Sequence, residues 1–295
     1  MTVESPVANS VPAAKETRLQ AAVRLRPNRP LIMAVLNVTP DSFSDGGAHM
    51  DLLSALRRAE RLLELGADVI DIGGESTRPG SLRTAEAEEL ERVTPVIETL
   101  RRRTEAPISI DTMKPAVARA AMAAGADIWN DVMGLGYSDD APRVAAALGC
   151  EVVIGHIRGE PQTMQTAPRY TDAAAEVAAE LTARALAAEA AGVQRERIWL
   201  DPGLGFGKTA DHNFALLARL GDLTRLGYPV MVGASRKGFI RVADPRGERP
   251  DQRLGGSLAA AILAAQGGAR MIRVHDVAET AQALAVLTAV ETAGD

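Results

Sequence analysis

Four residues far apart in the chain, Asp111, Asn130, Asp201 and Lys237, carry carboxylate, amide and ammonium groups suited to gripping a flat, hydrogen-bonding heterocycle. A carboxylate beside an amide matches the adjacent N–H donors and carbonyl of an aminopyrimidinone edge. A lysine could donate to a ring nitrogen or carbonyl of the same ligand. A second set, Arg78, Arg273, His275 and Asn37, suits a different chemistry. The planar donor fork of arginine fits phosphate, so this set reads as an anion-binding group. Gathered in one mouth, such groups would be costly to desolvate without a polar ligand or mutual pairing. No His-rich or Cys-rich ligand spacing is present, which disfavours built-in zinc. Magnesium arriving with a phosphate needs only one or two protein oxygens, and Asn37 could be one of them.

These residues can converge only if regular elements bring them together. A phrase recurs along the chain as Gly66-Ala67-Asp68-Val69-Ile70-Asp71, Gly125-Ala126-Asp127-Ile128-Trp129-Asn130, Gly149-Cys150-Glu151-Val152-Val153-Ile154 and Gly268-Ala269-Arg270-Met271-Ile272-Arg273. Each copy reads as a helix stopped by a left-handed glycine, then a short buried parallel strand with a polar end. Strands are expected at 31–37, 68–72, 107–111, 127–130, 151–156, 198–201, 229–234 and 270–275. Helices are expected near 51–65, 86–103, 115–124, 139–148, 172–191, 211–220, 252–267 and 276–291. In the first of these, Asp51 could cap, with Leu52, Leu56, Ala59 and Leu63 forming an apolar stripe at helical spacing.

Eight β/α units in about 260 residues is the count of an α/β fold of one kind, a single (β/α)₈ TIM barrel. Its rival, a doubly wound open sheet, would favour a G-x-G-x-x-G turn after the first strand and polar groups at one switch point. Here polar residues end nearly every strand. The barrel is expected over 29–291. An extension rich in Ala, Pro and polar residues (1–28), expected to be flexible, precedes it, and a short tail (292–295) follows.

Of the 295 residues 46% are hydrophobic and the net charge is −5, which argues against nucleic-acid or anionic-membrane binding by bulk electrostatics. No apolar run approaches the ~20 residues of a membrane span. The single Cys150 fits a reducing compartment, so cytoplasm is the expected location. Some polar residues carry two readings. Asp71 suits a helix cap or loop brace as well as a catalyst, Asp131 a salt-bridge partner, and His156 either a scaffold role or a ligand contact. Gly203, Gly205 and Gly207 lack P-loop spacing and read as tight turns, which leaves Lys208 unassigned.

The segments NVTPDSFSDGG (37–47), GGESTRPG (73–80), SIDT (109–112), ND (130–131), DPGLGFGKT (201–209), SRKGF (235–239) and RVHDV (273–277) together resemble the dihydropteroate synthases of bacterial folate biosynthesis. The likeness runs in order from about Arg29 to Glu291. It implies a TIM-barrel transferase, usually a homodimer, joining 6-hydroxymethyl-7,8-dihydropterin diphosphate to 4-aminobenzoate by an SN1-like, Mg²⁺-assisted loss of diphosphate. The resemblance further implies that Asp111, Asn130, Asp201, Lys237 and Arg273 hold the pterin. Asn37, Thr77, Arg78, Arg273 and His275 would hold the diphosphate with Mg²⁺, and Phe43, Pro79, Phe206, Ser235 and Lys237 would surround the aminobenzoate. The loops 38–47 and 74–83 would close over the substrates, and sulfonamides would compete with 4-aminobenzoate. Where the family often has a methionine that lines the pterin pocket, this chain has Gly155, so a looser or differently filled wall is expected. Two rivals share parts of this pattern. A methyltetrahydrofolate-dependent methyltransferase of the same fold would have little use for the anion set, and a non-catalytic paralogue would be expected to lose it.

Overall fold

Gly66, Gly125, Gly149 and Gly268 all adopt positive φ, so each recurrent phrase does end a helix on a left-handed residue and turn straight into a strand. The computed structural model describes residues 16–38, 47–76, 81 and 83–294, with the side chains of 47–51 excepted. The strands are β1 (Leu31–Asn37), β2 (Val69–Gly73), β3 (Ile108–Asp111), β4 (Ile128–Asp131), β5 (Glu151–Gly155), β6 (Ile198–Asp201), β7 (Met231–Val232) and β8 (Met271–Val274). All pairings are parallel, in the order β6-β5-β4-β3-β2-β1-β8-β7. A bridge between Leu200 and Val230 joins the two ends and closes the barrel. The open-sheet alternative is thereby excluded.

The helices are α1 (Arg18–Leu25), α2 (Gly47–Glu64), α3 (Glu86–Arg101), α4 (Pro115–Ala123), α5 (Ala141–Leu148), α6 (Ala173–Ala190), α7 (Ala210–Ala218), α8 (Leu220–Thr224), α9 (Phe239–Ala243), α10 (Leu254–Gln266) and α11 (Val277–Gly294). Three departures from expectation stand out. β7 shrinks to two residues, and Pro229, which has no N–H to donate, stands where the strand was expected to begin. α2 starts at Gly47, a turn before Asp51. The third concerns residues 18–25, expected as flexible extension, which form α1. A capping box holds its first turn, with Thr17 Oγ1 accepting from Gln20 N and the Gln20 side chain accepting from Thr17 N.

Helix α1 seals the barrel floor. Leu19 is fully buried and packs with Leu31, Met33, Val69, Ile128, Val153, Trp199, Met231 and Met271, one or two inward residues from each of seven strands. Thr17 Oγ1 donates to Glu151 Oε1 at 2.6 Å, and the Trp199 indole N–H donates to Glu151 Oε2 at 3.2 Å. A second, larger cluster fills the layer between the strands' outward faces and the surrounding helices.

This two-layer core places the site. Side chains alternate in and out along a strand, so the residue two beyond an inward apolar one also points inward, one level higher. Two steps past Val69 comes Asp71, past Ile128 Asn130, past Trp199 Asp201, and past Met271 Arg273. The strands are thus apolar below and polar above on the same inner face.

Candidate active site

The guanidinium of Arg273 is the hub of the mouth. Its Nε donates to Asp71 Oδ2 at 2.7 Å and its Nη2 to Asp111 Oδ2 at 2.6 Å. Asn130 Nδ2 also lies 3.3 Å from Asp71 Oδ2, and Asp71 is fully buried. Asp71 is therefore a brace shared by the side chains of Arg273 and Asn130, and neither the helix cap nor the loop brace that the sequence suggested. It holds two rim groups from beneath; alternation along β2 turns it inward, but only the fold supplies its partners. A Cβ placed on Gly73 would lie 3.8 Å from both Asn37 Oδ1 and Asp111 Oδ2, so Asn37 reaches the same rim.

Lys237 and Ser235 come from the turn after β7. Arg236 between them has φ 59°, a left-handed conformation that costs a non-glycine residue on the order of 1 kcal/mol. The surroundings hold it there: its N–H donates to Ser257 Oγ at 2.9 Å, its Nε to Asp276 Oδ2 at 3.0 Å, and its carbonyl accepts from Arg253 Nη1 at 2.9 Å. The kink sends Arg236 outward and Lys237 into the mouth. There the Lys237 ammonium sits 3.8 Å from the centroid of the Phe206 ring. Ser235 Oγ accepts from His275 N at 3.2 Å and faces His275 Nδ1 at 3.1 Å, which leaves Nε2 as the ring atom able to meet a ligand.

Burial governs the protonation of these groups. It raises the Asp111 carboxyl above the ordinary carboxylate range, against the pull of Arg273, and it raises Asp201 as well. Burial and then the Arg273 charge push Lys237 down to about 8, although Asp201 and Asp111 oppose them. The same two causes take His275 down to about 3, so at neutral pH it is an uncharged hydrogen-bonding group rather than a cation. Burial alone would lower Arg273, but Asp71 and Asp111 more than compensate and hold its charge.

Asn37, Asp111, Asn130, Asp201, Phe206, Ser235, Lys237, Arg273 and His275 thus belong to one rim. Phe43, Thr77, Arg78 and Pro79 lie outside the described residues. Two polar residues singled out in the sequence face the other way, each one position past an inward residue. Asp131 is buried with its carboxylate accepting from Met133 N at 2.8 Å and Leu135 N at 2.7 Å, so it braces a turn rather than pairing with a cation. His156 is fully buried between Lys208 and Glu180 and is a scaffold residue.

The Gly155 wall is filled by main chain. A Cβ there would meet Asp131 O at 2.7 Å and Val132 Cα at 2.8 Å, so the turn after β4 closes directly onto the end of β5. Arg184 Nη1 seals the contact by donating to Gly155 O at 2.7 Å. Of the two expected outcomes, a looser or a differently filled wall, the close main-chain contact favours the second.

Comparison with known proteins agrees with this geometry. A family model described as "Pterin binding enzyme" matches residues 33–275. The dihydropteroate synthase of Escherichia coli K12 is 47% identical over 262 residues, spanning 89% of this chain and 92% of its own. A structure of Xanthomonas albilineans dihydropteroate synthase with 4-aminobenzoic acid superposes with TM-score 0.83 at 50% identity, over 89% of this chain and 93% of that one. One from Yersinia pestis with a sulfonamide drug superposes with TM-score 0.84 at 44% identity, over 90% and 95%. A barrel whose rim gathers these groups around one arginine, matched over nearly its whole length by such relatives, belongs to the pterin-binding enzymes and, among them, to the dihydropteroate synthases.

Proposed function

We propose that the mouth holds 6-hydroxymethyl-7,8-dihydropterin diphosphate and 4-aminobenzoate side by side and joins them into 7,8-dihydropteroate, releasing diphosphate. The observation that carries this is the Arg273 cluster: one cation placed between two buried carboxylates, with Asn130 against the deeper one and Asn37 at the rim. Asp111, Asn130 and Asp201 meet the donor-rich pterin edge, Lys237 donates to the ring, and Arg273 lies against its face. Asn37, Thr77, Arg78, Arg273 and His275 take the diphosphate, with His275 offering a neutral donor. Phe43, Pro79, Phe206, Ser235 and Lys237 border the aminobenzoate.

The reaction needs no protein nucleophile. The bond between the exocyclic carbon and the diphosphate oxygen breaks, with its electron pair leaving on diphosphate. The electron-rich pterin delocalises the resulting positive charge, and the aromatic amine then attacks and sheds a proton. The residues contribute by binding the leaving group's growing charge, aligning the amine and excluding water.

No group of three or more metal-ligating side chains exists among the described residues. A divalent cation held mainly by the substrate would need one or two protein oxygens, and Asn37 Oδ1, which stands at the rim, would be one of them. Magnesium bound there would neutralise charge on the departing diphosphate.

Release of diphosphate from the pterin substrate, measured with and without 4-aminobenzoate, tests the function; release that ignores the second substrate refutes condensation. Two further results are expected. Sulfonamides should compete with 4-aminobenzoate, appearing as a raised KM with unchanged kcat; a noncompetitive pattern would place them elsewhere. The kcat/KM for the pterin substrate should fall as pH rises through about 8, where Lys237 loses the charge that Asp201 and Asp111 favour. It should fall again on acidification as the raised carboxyls of Asp111 and Asp201 take protons and no longer accept from the pterin, and Asp111→Asn should leave only the part of that acid limb that belongs to Asp201.

The assembly proposed is a homodimer in the cytoplasm. Phe214, Leu263, Val286 and Val290 are exposed apolar side chains on α7, α10 and α11, which pack side by side and so support a second copy as partner. Among the described residues no helix is long and apolar enough to cross a membrane.

A further inference from the structure

Lys208 follows the last glycine of the 201–207 turn, and its side chain runs back beneath that turn rather than out to solvent, leaving the residue 3% exposed. Its ammonium faces four acceptors: Gly203 O at 3.0 Å, Phe206 O at 3.0 Å, His156 Nδ1 at 2.9 Å and His156 O at 3.3 Å. An ammonium has only donors, so His156 Nδ1 must accept. The ring proton therefore sits on Nε2 and is donated to Glu180 Oε2 at 3.0 Å. Glu180 is anchored in turn by Arg158 Nε at 3.0 Å. The chain Arg158–Glu180–His156–Lys208 links α6 and the end of β5 to the turn after β6.

The turn itself is pressed against that support. Gly203 has φ 62°, and a Cβ there would stand 1.9 Å from His156 O; Gly207 has φ 60°, with Arg158 O at 2.5 Å from the same position. Gly205 O accepts from Gln165 Nε2 at 2.6 Å, and Gly207 O accepts from the Tyr170 hydroxyl at 3.1 Å. Above the turn, the Phe206 ring lies against Lys237, and a Cβ on Gly205 would touch the Lys237 stem at 3.1 Å. Two of the three carbonyls that Lys208 holds are thus on the segment carrying Phe206.

We propose that Lys208 is a positioning residue for the aminobenzoate side of the mouth, fixing the Gly203–Phe206 turn so that the Phe206 ring is held against Lys237. This rests on the functional reading above, in which Phe206 and Lys237 border the aminobenzoate. A lysine suits the task because a compact ammonium can serve several divergent acceptors at once. Burial pulls this ammonium down to about 7 while the Asp201 charge opposes it, so the full set of three donors is present below neutral pH.

The test is steady-state kinetics on full-length Lys208→Met and Lys208→Gln, with both substrates varied and thermal midpoints recorded. Gln keeps two N–H donors, so it supplies a folded variant even if Met leaves too many carbonyls bare. The KM for 4-aminobenzoate should rise about tenfold or more in Met and less in Gln, with kcat at saturation within about threefold of wild type and the pterin KM little changed. A folded variant with the wild-type aminobenzoate KM overturns the proposal. So does a lower kcat with both KM values unchanged, the mark of a smaller folded fraction alone. Wild type that turns over while the variants match it sinks only this proposal; wild type that does not turn over sinks the functional reading and this proposal with it.

Discussion

Arg273→Met should remove both activity and stability. Asp71 is fully buried and shares this guanidinium with Asp111, so the substitution leaves two carboxylates facing each other without their cation. Breaking a buried pair by removing one partner costs about 3–5 kcal/mol, and because the Arg273 side chain is 18% exposed the lower end applies, about 3 kcal/mol. The kcat/KM should drop at least ~10³-fold, since the same side chain is read as facing both the pterin and the diphosphate. Calorimetry with diphosphate and Mg²⁺ should show weakened binding in Arg273→Met and, less severely, in His275→Ala. Adding Asp71→Asn to Arg273→Met should recover part of the stability and none of the activity. An Arg273→Met protein with near-normal turnover, or with an unchanged unfolding midpoint in urea, would remove the hub from the mechanism.

Asp111→Ala should separate the two properties. Its carboxyl titrates above the ordinary range because the folded environment disfavours its charge. The sign follows: with the folded value above the unfolded one, the stability linked to this group is present at low pH and lost as pH rises through the folded value. At neutral pH, then, losing the carboxylate should leave the unfolding midpoint unchanged or slightly raised, with Arg273 still paired to Asp71. Activity is another matter. A site built to pair with a substrate's N–H groups loses on the order of 10⁴ in kcat/KM when the pairing is removed. Near-normal rates would reject the role given to Asp111, and a large loss of stability would reject the account of its titration.

The contrast also shows what the residue string could convey. Strand ends were legible because a left-handed glycine and a short apolar run have local causes, and because alternation along a strand carries an inward residue to the next inward residue. The same alternation explains why Asp131 and His156 remained ambiguous: each directly follows an inward residue, and a one-residue difference in strand register reverses the face. Asp71 as a shared brace and Lys208 beneath its turn were not legible, because their partners lie 59 to 202 and up to 52 positions away. The main chain filling the Gly155 wall depends likewise on how closely two strand ends approach. Helix α1 had a local signal in Thr17 and Gln20 at capping-box spacing, hidden within an Ala- and Arg-rich stretch that reads as a tail.

That helix has a consequence for the order of assembly during synthesis. Leu19 leaves the ribosome before any strand, yet the surface receiving it includes Trp199, Met231 and Met271, the last of them made some 250 residues later. Helix α1 must therefore wait, unsatisfied, until β8 has emerged and the ring of strands has joined. Settling of the amino-terminal helix is thus a late event, and it reports that the circle is complete.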